Sequence, residues 1–396
     1  MTFQILDDRR ECYGIYYNGN FIYDSFPSNL DRTWEWSSHL VGHNINYGSI
    51  FCGGSEIGKV GPVHLQDRYE IYSRKVRSFL RATAHAKINY DDVCLFEIIP
   101  QQHLRHYCEI KNDITNWVFE NHEKPQNHQN MVDVMELCDD ISQKIPAIDL
   151  NRLYRHSKHD RKARYLFEQV KGENTPILYD VWGSVTGRLT TKQGSFPILN
   201  LKKEIADCVV PTNDVFVQLD FNGAEIRTLI SLAGKEQPEE DIHEWNMNNI
   251  YHNITERSKA KQRFFAWLYN PNSNDSETEK HYTREQILNK HYDGEIVSTP
   301  FGRTIQSDNF HALNYLLQSS SSDNCIQSAV KVNKSLKNKK SFVQSVVHDC
   351  VTIDMDLSER NLLPMLVELF SDTTLGRFKT SIQIGHNLKD LEEVQW

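Results

Sequence analysis

The chain has 396 residues, of which 39% are hydrophobic and 24% charged, enough for two or three subdomains with cores of their own. A formal net charge of −9 argues against binding nucleic acid over the whole surface, so any such contact requires a locally basic channel. Eight cysteines without a CxxC pair, no secretory leader and no apolar run of membrane-spanning length predict a cytoplasmic protein without a structural zinc site.

The first half of the sequence changes from strand-like to helical patterning. Residues 1–70 alternate short apolar runs with turn signals, and Asn18-Gly19 predicts a hairpin within the run Cys12–Tyr23. From about residue 71 to 170, charged residues alternate with apolar ones at helical spacing. We therefore expect a small β-rich segment followed by a helical region.

The second half predicts one antiparallel sheet. Strands are expected to begin at Ile177–Trp182, to span Val215–Phe221, and to form a pair within Phe342–Met355 that is joined at His348–Asp349. The polar stretch Asn270–Lys280 is typical of a loop. Two carboxylates thus stand at strand ends, Asp220 before a predicted helix and Asp349 at a hairpin tip.

The segment Thr255–Tyr269 is the most informative part of the sequence. Arg257, Lys261, Phe265 and Tyr269 recur every fourth residue, which on a helix places two cations and two aromatic rings along one face. Such a face can bind a triphosphate and stack a base, although an aromatic stripe by itself is usually core packing. Together with two carboxylates able to hold metal ions, it predicts a nucleotide polymerase.

The order of the motifs resembles the polymerase module of family A DNA polymerases over roughly residues 70–396. Because six motifs occur in the right order, the resemblance is far more specific than any one of them. They are Thr186–Thr191, Asp220–Arg227, Asp241–His243, Arg257–Tyr269, Asn314–Gln318 and His348–Asp349, and the ending Ile384–Leu388 also resembles the closing strand and loop of the family.

The resemblance implies an α+β right-hand polymerase fold with an antiparallel palm sheet, helical fingers and a helical thumb. The implied ranges are 1–70 for the small β-rich N-terminal segment, 71–175 for the thumb, 176–234 for the first part of the palm, 235–310 for the fingers and 311–396 for the second part of the palm.

A two-metal reaction assigns roles to the charged residues. Asp220 and Asp349 are expected to hold two Mg²⁺ ions, for which Mn²⁺ can substitute, because magnesium prefers oxygen ligands. Arg257 and Lys261 are expected to bind the triphosphate, with Lys261 also protonating the leaving pyrophosphate. The resemblance implies a further phosphate contact for His243.

Other residues are expected to contact the sugar, the bases and the primer-template. Phe265 and Tyr269 should flank the incoming base and the template position. The resemblance implies that Glu225 crowds the 2′ position of the sugar and favours deoxynucleotides, and that a Phe at position 265 discriminates against dideoxynucleotides. It implies primer-template contacts for Arg188, Asn314, Gln318 and His348, with capping of the run Ser319–Ser322 as the alternative for Gln318.

Some parts of the sequence depart from the family pattern. Cys350 follows Asp349 where many members have Glu, and Asn270 follows Tyr269 where Gly is common. Leu6–Glu11 and Gly42–Gly48 resemble exonuclease motifs, but Gly48 stands where a metal-binding Asp is needed and the span is too short for a whole exonuclease domain. Residues 1–70 are therefore a relic without nuclease activity, a platform for a separate proofreading subunit, or an unrelated β-rich segment.

The predicted function is a template-directed DNA polymerase that adds dNTPs to a primer 3′ end. The alternatives are an RNA polymerase of the same fold, disfavoured by Glu225, and a catalytically inactive DNA-binding subunit, which should lack the carboxylates or the helix cations. A metal-dependent nuclease would leave the Arg257–Tyr269 pattern unexplained. The small size is typical of a phage replicase, which would act in the host cytoplasm without a membrane. The expected partners are primer-template DNA and dNTPs, with a separate exonuclease or processivity subunit as a further partner.

Overall fold

The structure is a computed structural model that describes residues 1–9, 12–23, 25–88, 93–172, 174–270 and 272–394. The chain divides into two compact units, Met1–Glu136 and Leu137–Trp396. Arg10 and Glu11, part of the predicted exonuclease-like segment, lie outside the described residues. Within the described part of the chain, no helix combines the length and the apolar character needed to cross a lipid bilayer.

The first unit joins a small sheet to a set of helices. Its strands are β1 (Gln4–Arg9), β2 (Cys12–Tyr17), β3 (Asn20–Tyr23), β4 (Arg32–Thr33) and β5 (Asn46–Tyr47). Its helices are α1 (Gly48–Phe51), α2 (Val63–His85), α3 (Leu95–Ile98), α4 (Gln101–Asn121) and α5 (His128–Ser142), whose last residues belong to the second unit. The predominance of helix after residue 70 is as predicted.

The predicted hairpin is present in the first unit. β2 and β3 pair antiparallel around Asn18 and Gly19, whose φ angles are 47° and 77°. Two successive residues with positive φ are what a two-residue hairpin turn of matching twist requires, and Asn-Gly is the pair that adopts them most readily. The sheet packs on α2 and α4 through buried side chains that include Leu6, Tyr16 and Val76.

The second unit contains more strand than the first. Its strands are β6 (Ala147–Ile148), β7 (Tyr179–Asp180), β8 (Thr190–Thr191), β9 (Val209–Val210), β10 (Val215–Phe221), β11 (Ile296–Ser298), β12 (Thr304–Gln306), β13 (Phe342–Val347), β14 (Cys350–Met355), β15 (Asp372–Thr373), β16 (Gly376–Arg377), β17 (Thr380–Gly385) and β18 (Glu392–Val394). Its helices are α6 (Leu150–Ser157), α7 (Arg161–Val170), α8 (Ala224–Leu232), α9 (Ile242–Asn249), α10 (Arg257–Leu268), α11 (Ser276–Tyr282), α12 (Arg284–His291), α13 (Ala312–Ser335) and α14 (Leu363–Ser371).

A five-stranded antiparallel sheet in the order β13-β14-β10-β17-β18 positions the carboxylates. The predicted strand at Val215–Phe221 and the predicted pair within Phe342–Met355 are confirmed. β10 lies in the centre, where its apolar side chains are buried on both faces. The combination of helices with an antiparallel sheet agrees with the predicted α+β class.

The predicted strand at Ile177–Trp182 does not join this sheet, and that expectation is wrong. β7 is two residues long and pairs with β8. Tyr179 reaches the edge strand β13 through its side chain instead: its hydroxyl donates to the Val346 carbonyl (2.6 Å) and accepts from the Val346 amide (3.0 Å). These two bonds satisfy the edge groups of Val346 that a further strand would have paired.

The polar stretch Asn270–Lys280 is only partly a loop, which corrects a second expectation. Helix α11 begins at Ser276, and the side chain of Asp275 caps it by accepting a hydrogen bond from the Thr278 amide (3.2 Å). An Asp cap followed by Glu277 and Glu279 in the first turn is a helix start signal hidden in a polar composition.

A buried cluster holds the helices α8 to α13 around the end of the sheet. Helix α13 packs against α8, α14 and β13. The predicted helix after Asp220 is confirmed as α8, which ends where Gly234 takes a φ of 68°. The largest side chains of the cluster are Phe264, Trp267, Tyr251 and Tyr282, all fully buried.

Candidate functional site

A cavity of about 390 Å³ lies in the second unit beside the ends of β10 and β14. Most of the predicted site residues line it, although they come from five different parts of the sequence. They are Arg188, Asp220, Glu225, His243, Arg257, Lys261, Phe265, Tyr269, His348 and Asp349. Folding therefore brings the predicted carboxylates, cations and aromatic rings to one place.

The sheet register brings Asp220 and Asp349 together. Asp220 pairs with Cys350 of β14 on one side and with Ser381 of β17 on the other. Asp349 lies in the two-residue turn between β13 and β14, where His348 has a φ of 57°. The Asp349 carbonyl accepts a hydrogen bond from the Phe221 amide (3.3 Å), which fixes the turn beside the end of β10.

The two carboxylates are held in an environment that opposes their charge. Burial and, to a lesser degree, the charge of Asp349 raise the pKa of Asp220 to about 7, while Lys261 acts in the opposite direction. Burial also raises the pKa of Asp349. Two half-buried carboxylates that repel each other gain stability when a cation binds between them.

Helix α10 presents the predicted face to the cavity. The rings of Phe265 and Tyr269 stack with centroids 5.6 Å apart and planes 9° from parallel, and the Lys261 Nζ lies 6.0 Å from the Phe265 centroid. The opposite face of α10, including Phe264 and Trp267, is buried in the core. Core packing therefore accounts for one set of rings and leaves the stripe that contains Lys261 lining the cavity.

Asp241 connects α10 to the strand that carries Asp220. Its carboxylate accepts two hydrogen bonds from Arg257, Nε to Oδ1 at 3.0 Å and Nη2 to Oδ2 at 2.6 Å, and a third from Asn222 Nδ2 (2.6 Å). Although burial favours the neutral acid, these bonds hold the pKa of Asp241 well below its ordinary value. Asn222 has no role predicted from sequence, because its partner is a helix-capping Asp that lies 19 residues away and no periodic pattern marks it.

His243 is buried close to Arg257 and Lys261, whose charges both act on its pKa. Burial and, to a lesser degree, the charge of Arg257 lower its pKa to about 4, so that the imidazole is neutral at physiological pH. Its Nδ1 atom is buried and has no hydrogen-bond partner among the described residues. Because Nδ1 is buried, a ligand in the cavity would have to contact the ring at another position.

Glu225 lies at the start of α8 with both carboxylate oxygens engaged. Arg188 Nη2 donates to Oε1 at 3.1 Å, and the Tyr269 hydroxyl donates to Oε2. Burial and the carboxylate together raise the pKa of Tyr269 above its ordinary value, so that the phenol stays protonated as a donor. Glu225 thus joins the loop that carries Arg188 to the end of α10.

The comparison of solved structures gives a match over nearly the whole chain. The POL domain of Pol1 from M. smegmatis, in complex with DNA primer-template and dNTP, aligns with a TM-score of 0.66 and 12% sequence identity, over 98% of this chain and 95% of that one. This chain has the fold of that polymerase domain. The match confirms the resemblance indicated by the motifs, whereas no family model and no curated protein sequence matches the chain.

Two predicted residues of this polymerase-type fold lie outside the cavity. Asn314 lines a separate hollow of about 180 Å³, which Tyr269 also borders. Gln318 accepts a hydrogen bond from the Thr186 hydroxyl (3.0 Å), and this contact joins α13 to the loop that carries Arg188. The alternative role of Gln318 as a cap is excluded by its position inside α13.

An ion pair that the sequence analysis missed supports the same loop. Arg303 donates to Asp323 from Nε (3.1 Å) and Nη2 (2.8 Å), and both side chains are largely buried. The Arg303 guanidinium occupies the space that a Cβ on Gly187 would take, and Gly187 has a φ of 74°. A glycine is therefore required before Arg188 by both backbone angle and packing.

Proposed function

We propose that the chain is a template-directed DNA polymerase that adds dNTPs to the 3′ end of a primer. The observation that carries this proposal is that Asp220 and Asp349 line the same cavity as Arg257 and Lys261. A nucleoside triphosphate needs both groups, because its phosphates are neutralised by cations and its reacting end by metal ions held on carboxylates.

The carboxylate pair fits two divalent cations. Asp220 and Asp349 offer oxygen donors, which Mg²⁺ and Mn²⁺ prefer, and burial raises the pKa of both, a cost that a bound cation would offset. When bound, such ions make the primer hydroxyl more nucleophilic and neutralise charge on the transferring and leaving phosphates. Cys350 in place of a third carboxylate leaves these two Asp residues as the protein ligands that we propose.

Residues of α10 and α9 would bind and orient the triphosphate. Arg257, held by Asp241, presents a fixed guanidinium, and Lys261 lies nearer the carboxylates, since its charge affects the pKa of Asp220 and that of Asp349. We propose that Lys261 also gives a proton to the departing pyrophosphate. The neutral imidazole of His243 would donate a hydrogen bond to a phosphate oxygen.

The other end of the cavity would select the sugar and the base. Glu225, fixed by Arg188 and Tyr269, would exclude a 2′ hydroxyl by occupying its space and leaving it without a free acceptor. The stacked rings of Phe265 and Tyr269 would border the incoming base and the template position.

The remaining assignments complete the right-hand architecture that we propose. Residues 71–175 would form the thumb, 176–234 and 311–396 the palm, and 235–310 the fingers. Arg188, Asn314, Gln318 and His348 would contact the primer-template. Residues 1–70 would have no proofreading activity, and a separate exonuclease or processivity subunit would be a further partner.

Primer extension tests the proposal. A labelled primer on a DNA template is incubated with magnesium and with dNTPs or rNTPs in parallel, using the wild type, Asp349→Asn and the exposed control Asp372→Asn. We expect extension with dNTPs that is lost in Asp349→Asn and kept in Asp372→Asn. Extension with rNTPs instead would favour an RNA polymerase, and tight primer-template binding without extension would favour an inactive binding subunit.

A further inference from the structure

Three side chains with metal-binding atoms lie together outside the cavity that holds Asp220 and Asp349. His156 lies in the last turn of α6, and Asp207 and Cys208 end the 3₁₀ helix Lys203–Cys208. The His156 Nε2 lies 3.0 Å from the Asp207 Oδ1, and the Cys208 Sγ lies 3.7 Å from the same oxygen. The three ligand atoms all lie within 4.8 Å of one another.

We propose that His156, Asp207 and Cys208 form a zinc-binding site. Bonds from Zn²⁺ of about 2.0–2.1 Å to nitrogen or oxygen and about 2.3 Å to sulfur, at tetrahedral angles, put neighbouring ligand atoms roughly 3.3–3.6 Å apart. The observed separations of 3.0 and 3.7 Å bracket that range. These two separations therefore fit tetrahedral zinc closely, and the third, between His156 and Cys208, lies within 4.8 Å and would shorten on binding.

The donor types select zinc over the ions expected at Asp220 and Asp349. An imidazole and a thiolate are ligands for zinc, whereas magnesium prefers oxygen. One carboxylate and one thiolate also balance the two charges of the ion. The thiol proton of Cys208 would be released to solvent on binding, and the hydrogen bond between His156 and Asp207 would be replaced by two bonds to the metal.

The exposure of the cluster defines an open site with three protein ligands. Cys208 is buried, while the side chains of His156 and Asp207 are 31% and 20% exposed. Water can therefore enter and supply the fourth ligand. Arg152 lies close to the cluster and donates to the backbone carbonyl of Asp207 (3.0 Å). Its positive charge is paired with the Asp149 carboxylate (3.1 Å), which reduces the repulsion between Arg152 and a bound cation.

This proposal differs from the sequence expectation that no structural zinc site exists. His156 and Asp207 are 51 positions apart, so no short spacing signals the site, and folding alone brings the ligands together. A bound ion would join α6 to the segment that enters β9, next to the short β6-β9 pair. Since none of the three residues lines the cavity that holds Asp220 and Asp349, zinc would stabilise this part of the second unit rather than take part in nucleotide addition.

Cobalt titration of the full chain provides the test. Co²⁺ replaces Zn²⁺ in such sites, and tetrahedral coordination gives visible absorption bands together with a thiolate charge-transfer band in the near ultraviolet. We expect about one equivalent of tetrahedral Co²⁺ in the wild type and its displacement by Zn²⁺. Cys208→Ser should remove the charge-transfer band, and His156→Gln, a change at a partly exposed position, should weaken binding at least tenfold.

Two cysteine variants decide whether the signal belongs to this site. Cys350→Ser changes the thiol beside Asp220, and Cys52→Ser changes a half-buried thiol of the first unit. Both should keep the cobalt spectrum. A charge-transfer band that is lost in Cys350→Ser and kept in Cys208→Ser would place the ion at the carboxylate pair and overturn the proposal, as would the absence of tetrahedral bands from folded wild-type protein.

Discussion

Replacing Asp220 with Asn should make the metal-free protein more stable. The Asp220 carboxylate is half-buried and is repelled by Asp349, and both effects raise its pKa. Asn has nearly the same shape and no charge, so that the substitution removes the cost of holding a second negative charge in the cavity. A residue proposed to be essential for catalysis would thus reduce the stability of the fold that carries it.

The pKa gives the size of the effect. The interval from 3.8 to about 7 means that the folded state binds the Asp220 proton about three powers of ten more tightly than the unfolded state. Each power of ten is worth about 1.4 kcal/mol, which gives a ceiling of about 4 kcal/mol. We expect about 2–4 kcal/mol, which raises the Tm of a unit of this size by roughly 5–10 °C.

The pH dependence follows from the sign of the shift. Because the folded state holds the proton more tightly, the wild-type carboxylate lowers stability fully above pH 7 and stops doing so as the pH falls towards 3.8. The gain in Tm of Asp220→Asn should therefore be largest at pH 8, less than half as large at pH 5, and nearly zero at pH 4.

Scanning calorimetry in the presence of EDTA measures this difference at pH 8 and pH 5. Asp372→Asn, an exposed Asp of the same unit, serves as the control and should show no gain at either pH. Adding magnesium at pH 8 should raise the Tm of the wild type and leave that of Asp220→Asn nearly unchanged. The reasoning is refuted if Asp220→Asn is no more stable than the wild type at pH 8, or if its gain is the same at both pH values.

Three further substitutions test the rest of the site. Glu225→Ala, which also frees Arg188, should raise the ratio of rNTP to dNTP incorporation about 10- to 100-fold; an unchanged ratio would remove Glu225 from sugar selection. Lys261→Met should lower kcat/KM for dNTP addition by about 10²–10⁴, measured by single-turnover kinetics, whereas a change in KM alone would mean that Lys261 binds without donating a proton. Asp323→Leu should lower the free energy of unfolding, measured by urea denaturation, by about 3–5 kcal/mol, because Arg303 is left buried and unpaired. The double variant Arg303→Met/Asp323→Leu should recover most of that loss. If the losses of the two single variants simply add in the double variant, the two residues are not coupled.

The elements that the sequence predicted correctly are those with a strong local signal. The apolar run Val215–Phe221 stops at an Asp and continues into a helical pattern, so strand, junction and α8 could all be read from about twenty residues. The fourfold spacing from Arg257 to Tyr269 likewise defines one face of a helix wherever that helix lies. The prediction that these elements lie together around one site rested on the family resemblance rather than on periodicity.

The features that the sequence did not predict depend on contacts between distant residues. Nothing near Arg303 indicates that its partner is Asp323, and nothing near Asn222 indicates that it bonds to Asp241. The run Ser319–Ser322 is polar by composition and yet buried, because small side chains allow α13 to pack closely against its neighbours. Hydropathy assigns such serines to the surface, and only the packing of the second unit reverses that assignment.

The two hydrogen bonds of Glu225 have a consequence for engineering this chain. One carboxylate fixes an arginine of the Thr186–Thr191 loop and a tyrosine at the end of α10, so a substitution made to accept a new sugar also loosens both of those segments. Sugar tolerance and template geometry would then change together. A variant that accepts modified nucleotides without losing accuracy needs a replacement that keeps two acceptor oxygens, such as the shorter Asp, or compensating changes at Arg188 and Tyr269.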